Sequence, residues 1–135
     1  MLTKGFKHEE QKKNDQMLYS GLQLAFVPET WELKEKKKLD EILLNTAKIS
    51  LNGIADSTID DLLNKLKSNN FSFSNTERLA DLLVKTFTVE PDKRSNLAKK
   101  ALALYKFAQE EYKTYSFGLM EKIERAERNI DNAKQ

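Results

Sequence analysis

The one histidine of this chain, His8, sits in the stretch HEEQ (8–11) and limits what the side chains can do. A helical zinc protease needs a second histidine four residues on, and position 12 is lysine. A carboxylate-bridged di-iron centre needs paired Glu-x-x-His motifs on facing helices, which one histidine cannot supply. A serine–histidine–aspartate relay would have to run through His8 alone. Cysteine is absent, which removes thiol nucleophiles, thiolate metal sites and disulfides together. Four scattered glycines form neither G-x-x-x-x-G-K-[ST] nor G-x-G-x-x-G, so no loop of that kind cradles a phosphate. The carboxylate pairs Asp60–Asp61 and Glu110–Glu111 are sequence neighbours. On a helix such neighbours point roughly 100° apart and cannot share a proton. No catalytic residue, metal ligand set or cofactor site is therefore expected, and the chain reads as a non-enzyme.

What remains is contact chemistry. Tyr105, Phe107, Tyr112, Tyr115 and Phe117 fall within thirteen residues. Tyrosine offers a large apolar face with a polar tip and is enriched at binding hot spots. Tyr105, four residues after Ala101, is expected to be buried. Tyr112, Tyr115 and Phe117 sit at an inter-helix turn and are the candidate partner-binding residues. The commoner fate of such a cluster is to fill the core between the last two helices, which would leave no binding face.

Charge does not point to nucleic acid. The chain has 23 basic and 21 acidic residues in 135, a net of +2. No third of it is strongly one-signed, whereas a nucleic-acid footprint needs a concentrated basic face. The segment LKEKKK (33–38) is diluted by Glu35, Asp40 and Glu41 and reads as a solvated turn. The longest apolar-rich run, residues 17–27, contains Ser20, Gly21 and Gln23. It falls short of the roughly 20 residues a membrane span needs, and acids precede it, unlike a signal peptide. No membrane association and a cytoplasmic location are expected.

The elements that must position these residues read as helices. Two prolines and four glycines leave little turn chemistry. Apolar residues recur at spacings of three and four nearly throughout. Helices are expected over about 8–26 and 29–50, with Pro28 between them. Asn52-Gly53 marks residues 50–57 as a loop, and Ser57 as the cap of a third helix near 58–67. Phe71–Ser74 alternates like a strand, but Ser74-Asn75-Thr76-Glu77 fits a capping box with Phe73 as its staple. That makes it an extended lead into a fourth helix reaching about Thr88. A fifth helix starts near Asp92, and Thr114 or Ser116 caps the last. The expectation is a single all-α domain over 1–135, with 1–7 and 131–135 frayed. Its five or six helices pack as antiparallel hairpins in a bundle or short solenoid-like array.

Residues 77–83 (ERLADLL) and 98–109 (AKKALALYKFAQ) resemble a tetratricopeptide-type helical hairpin over 76–112, with 115–130 as a capping helix. Ala101, Tyr105 and Ala108 match the small–aromatic–small spacing of that repeat's second helix. The link TVEPDKRSN (88–96) is longer than the repeat's turn, and the unit does not recur at a period of about 34 residues. KTYSFGLMEKI (113–123) is similar to C-terminal segments of small bacterial helical proteins, a likeness that implies no activity. The hairpin resemblance implies a groove for a protein partner.

Three roles are consistent with these readings. The first is an adaptor that docks a protein partner or a second copy of itself. Another is a nucleic-acid-associated regulator using the helices near 58–67 and 75–88. The third is a small antitoxin or immunity-type binder.

Overall fold

The computed structural model describes the backbone of residues 2–133 and the side chains of residues 7–130. Of the tails expected to fray, residue 1 and residues 134–135 lie outside the described residues. Among the described residues the chain is all helical, without a strand. Helix α1 is Leu2–Leu22. Helix α2 joins Pro28–Thr30, a π-helical turn Trp31–Glu35, and Lys36–Thr46. Then come α3 (Leu51–Asp56), α4 (Ile59–Ser68) and α5 (Phe73–Thr86). A 3-10 turn, Pro91–Lys93, leads into α6 (Arg94–Glu111), and α7 (Phe117–Ala133) closes the chain. None of these helices is long and apolar enough to cross a membrane.

Seven helices exceed the expected five or six because residues 50–57 are not a loop. Ser50 caps α3, its Oγ accepting from the Gly53 N–H at 3.0 Å. The Leu51 N–H donates to Asp40 Oδ1 at 2.8 Å, and Leu51, Ile54 and Ala55 are buried. Burial and two satisfied N–H groups outweigh the turn preference of Asn-Gly. A Cβ at position 53 would stand 2.8 Å from Ile49 Cγ1, so the glycine serves close approach rather than a turn. The cap of α4 is Thr58, one residue beyond the expected Ser57.

The capping box of α5 also shifts. Ser72 Oγ accepts from the Asn75 N–H (3.1 Å), and Asn75 Oδ1 accepts from the Ser72 N–H (3.2 Å). Ser74 and Glu77, assigned to the cap by sequence, are engaged elsewhere. Ser74 donates to Asp15 Oδ2 of α1 at 2.7 Å, and Glu77 accepts from Lys122 of α7 at 2.9 Å. Asn75 donates to Asp15 Oδ1 (2.6 Å) and the Gln11 carbonyl (2.9 Å), bolting α1 to the start of α5. Phe71, just before the cap, is buried.

Helix α6 is the centre of the packing. It contacts α3, α4, α5 and α7. Leu97, Ala98, Ala101, Leu104, Tyr105 and Ala108 are buried along it. The alanines let neighbouring helices approach closely. Helix α1 packs on α5 and α2, away from this centre. It ends at Leu22, short of the expected 26, and Lys85 donates to the Leu22 carbonyl at 3.3 Å. Phe26, beyond the end, stacks on Trp31 at 5.5 Å.

Helix α2 is pinned to the start of α6 by a buried carboxylate. Glu90 accepts from Trp31 Nε1 at 3.0 Å and pairs with Lys36 Nζ at 2.8 Å and Lys93 Nζ at 3.8 Å. The π turn begins at Trp31, whose indole is anchored on Glu90, and it interrupts the single helix expected over 29–50. Burial alone would push the Glu90 carboxyl up, but hydrogen bonds from Lys36 and Trp31 hold it below the ordinary carboxylate range. A lowered folded-state value stabilises the fold above the unfolded pKa and loses that contribution as pH falls through the folded one. Glu90→Gln is therefore expected to lower unfolding free energy at neutral pH by about 2 kcal/mol, the scale of a charged hydrogen bond. In urea melts at several pH values the gap from wild type narrows below the ordinary glutamate value of about 4.3. It closes once Glu90 itself is protonated.

Candidate functional site

The region to build is the turn between α6 and α7. Helix α6 ends at Glu111, and Lys113 adopts a left-handed φ of 53°. The Thr114 N–H closes the end on the Gln109 carbonyl at 3.1 Å, which is the geometry of a Schellman stop. Ser116, the second of the two expected candidates, caps α7. Its Oγ accepts from the Leu119 N–H at 3.1 Å. That cap fixes the register. Leu119, Ile123 and Ala126 turn inward and are buried, with Ile130 packed against them. Phe117, two residues before Leu119, and Met120, three after Phe117, must then face away from that seam.

Tyr112, Tyr115 and Phe117 do not behave alike. The Tyr112 hydroxyl donates to the Phe71 carbonyl at 2.7 Å, and its ring meets Phe73 edge to face at 5.8 Å. Tyr112 is a strut between the end of α6 and the start of α5. Burial, and then the Glu111 carboxylate, push its phenol above the ordinary tyrosine range. By contrast Tyr115 is 63% exposed and Phe117 86% exposed, with Met120 at 47% beside them. Helical spacing groups Met120 with Leu119 and Ile123 on the apolar stripe of the last helix, but the structure leaves it exposed, three residues from Phe117. Tyr105 is buried, as its spacing predicted.

Glutamates surround this apolar end. Glu110 and Glu111 lie in the last turn of α6, and Glu121 and Glu124 in the first turns of α7; all four are exposed. None is within ion-pair distance of a cation among the described residues. The cation of α7 facing the other way, Lys122, is held by Glu77 (2.9 Å) and Asp81 (3.1 Å). Burial alone would lower its pKa, but the two carboxylates outweigh this and raise it.

Two clefts lie elsewhere. One, of about 330 Å³, is lined by Leu22, Asp81, Lys85, Tyr105, Lys122 and Arg125. Both oxygens of Asp81 are engaged, by the Tyr105 hydroxyl at 2.6 Å and by Lys122 at 3.1 Å. Burial, with the Asp81 charge and hydrogen bond, drives the Tyr105 phenol far up, so it stays a neutral donor. Asp81 thus links Tyr105 of α6 and Lys122 of α7 through one hydrogen bond to each of its oxygens. The other cleft brings His8, Gln11, Lys12 and Asp15 of α1 near Ser72. Asp15 there is engaged by Ser74, Asn75 and, at 3.6 Å, Arg78. Among the described residues no group of three or more histidine and acidic side chains is arranged to hold a metal ion.

Comparison with protein-family models, with curated proteins and with solved structures finds no match.

The division among the three aromatics is measurable. Tyr112→Phe is expected to lower stability in urea melts by about 1 kcal/mol, the contribution of one hydrogen bond. Tyr115→Ala and Phe117→Ala should stay within about 0.5 kcal/mol of wild type, as exposed side chains do. A Tyr115→Ala variant as damaged as Tyr112→Phe would place that ring in the core.

Proposed function

We propose that this chain is a non-enzymatic protein-interaction module, docking a protein partner through Tyr115, Phe117 and Met120 at the α6–α7 turn. The observation that carries the reading is Phe117: a phenylalanine at the first position of a helix, 86% exposed, beside a 63% exposed tyrosine. Covering one such side chain contributes roughly 1.5–3 kcal/mol. Scattered apolar residues are normal on a surface, whereas a cluster on one ordered turn marks a contact site. The turn is held by the Ser116 cap and the Tyr112 strut, so little order has to be gained on binding. Absence of cysteine and near-neutral charge suit a cytoplasmic binder.

A nucleic-acid reading is less well supported. The residues opening α5 that would have to reach base edges, Asn75 and Thr76, are fully buried, and Asn75 is engaged with α1. An immunity-type or antitoxin role remains a special case of the same docking chemistry.

Affinity capture from the native cell with wild type and with Phe117→Ser plus Tyr115→Ser tests the proposal. At least a tenfold loss of the captured partner, with an unchanged melting temperature, is expected. Equal capture by both proteins would overturn the reading.

A further inference from the structure

Among the described residues the most exposed large apolar side chain is not Phe117 but Leu33, at 87% against 86%. Leu33 lies in the π turn of α2, beside Trp31 and Lys36, which both grip Glu90 just before α6 begins. Phe117 lies just past the far end of α6, whose 18 residues span about 27 Å. The two side chains therefore lie toward opposite ends of α6.

Their charged surroundings differ in sign. Around Phe117, Glu110, Glu111, Glu121 and Glu124 are exposed with Lys113 as the cation of the turn. Around Leu33, Lys34, Lys37 and Lys38 are exposed and have no carboxylate within ion-pair distance among the described residues. The acids there are the exposed Glu29 and Glu32 and the buried Glu35, and Glu32 lies 3.6 Å from Lys36. One end is apolar within an acidic rim. The other is an apolar knob where exposed lysines outnumber exposed glutamates three to two.

We infer that two copies of this chain associate head to tail, the Phe117 end of one receiving the Leu33 end of the next. The inference rests on the docking-face reading and names its occupant as a second copy. The contact is heterologous, since the two surfaces differ, and it leaves one end of each kind unused in a dimer. Longer chains or a ring follow at higher concentration. Opposed charges steer the encounter and make it salt-sensitive.

Sedimentation velocity over rising concentration tests it, with wild type, Phe117→Asp, Leu33→Asp and their equal mixture. Wild type is expected to associate, and more weakly at high salt. Each variant alone should show at least a tenfold weaker self-association, because each has lost one end. The mixture should recover association but stop at the dimer, since one intact end survives on each partner. Lys34→Glu combined with Lys37→Glu, which leaves Leu33 in place, should weaken wild-type association by charge alone; circular-dichroism melts verify that all variants fold. A wild type that stays monomeric overturns the inference, as does a mixture that fails to dimerise. If Phe117→Asp is monomeric but Leu33→Asp associates as wild type does, the Phe117 face stands and the Leu33 end is the wrong occupant. Loss of the docking-face reading itself would show instead in the capture experiment, as equal recovery by wild type and the Phe117 variant.

Discussion

Helix α6 can be covered on only as many sides as its neighbours reach, and that limit shapes the rest of the molecule. Helices α3, α4, α5 and α7 enclose it. Its buried residues are leucines, alanines and one tyrosine, with Lys100 reaching the Ala55 carbonyl at 3.3 Å. Helix α7 meets it with one stripe, led by Leu119 and Ile123. An amphipathic helix in this setting buries one stripe and leaves the rest to water. Among the described residues of α7 outside that stripe, most are charged, and the large apolar ones are Phe117 and Met120. The exposed aromatic end is thus a departure from the pattern that the rest of the helix obeys.

Three polar networks hold the frame around α6. Asp15 with Ser74 and Asn75 joins α1 to α5. Glu90 with Trp31 and Lys36 joins α2 to the start of α6. Asp81 with Tyr105 and Lys122 ties α5, α6 and α7 together. Each uses a carboxylate whose partners come from distant parts of the chain, so each forms only when the helices are in place. Such networks add little net stability per bond, but breaking one partner leaves a half-buried charge unmet. They favour one arrangement of helices over close alternatives, and a docking surface needs that rigidity.

Much of this was legible in the sequence. The all-helical class, the burial of Leu62 and Leu66 in α4 and the burial of Tyr105 followed from spacing, whereas Ile59, on the same apolar stripe, is exposed. Spacing does not decide whether Tyr115 and Phe117 fill the core or face water, because an aromatic cluster between two helices suits either; the structure exposes both. The misses share a cause. Helix α3 was read as a loop because Asn52-Gly53 is a strong local turn signal, and the burial of Leu51 and Ile54 that overrides it is tertiary. The α5 cap was framed on Ser74 and Glu77 because local rules cannot know that Asp15 and Lys122 claim them. The π turn begins at Trp31, whose partner Glu90 lies 59 residues away, beyond the reach of local rules. Ends of helices were also displaced, since Lys48, Asn70 and Lys113 take the left-handed conformation that glycine usually supplies. Tyr112 is exposed, at 37%, as its place at a turn suggests, but its hydroxyl is also tied to the Phe71 carbonyl, a tertiary contact that spacing does not show.

The central claim is that a fixed aromatic turn stands in water until something covers it. Hydroxyl-radical footprinting of dilute protein, read by mass spectrometry residue by residue, tests it most directly. The account predicts strong labelling of Phe117, Tyr115 and Met120, weak labelling of Leu119 and Phe71, and loss of the Phe117 signal when the protein is engaged. Labelling of Phe117 as weak as that of Leu119 in the dilute, unbound chain would contradict it.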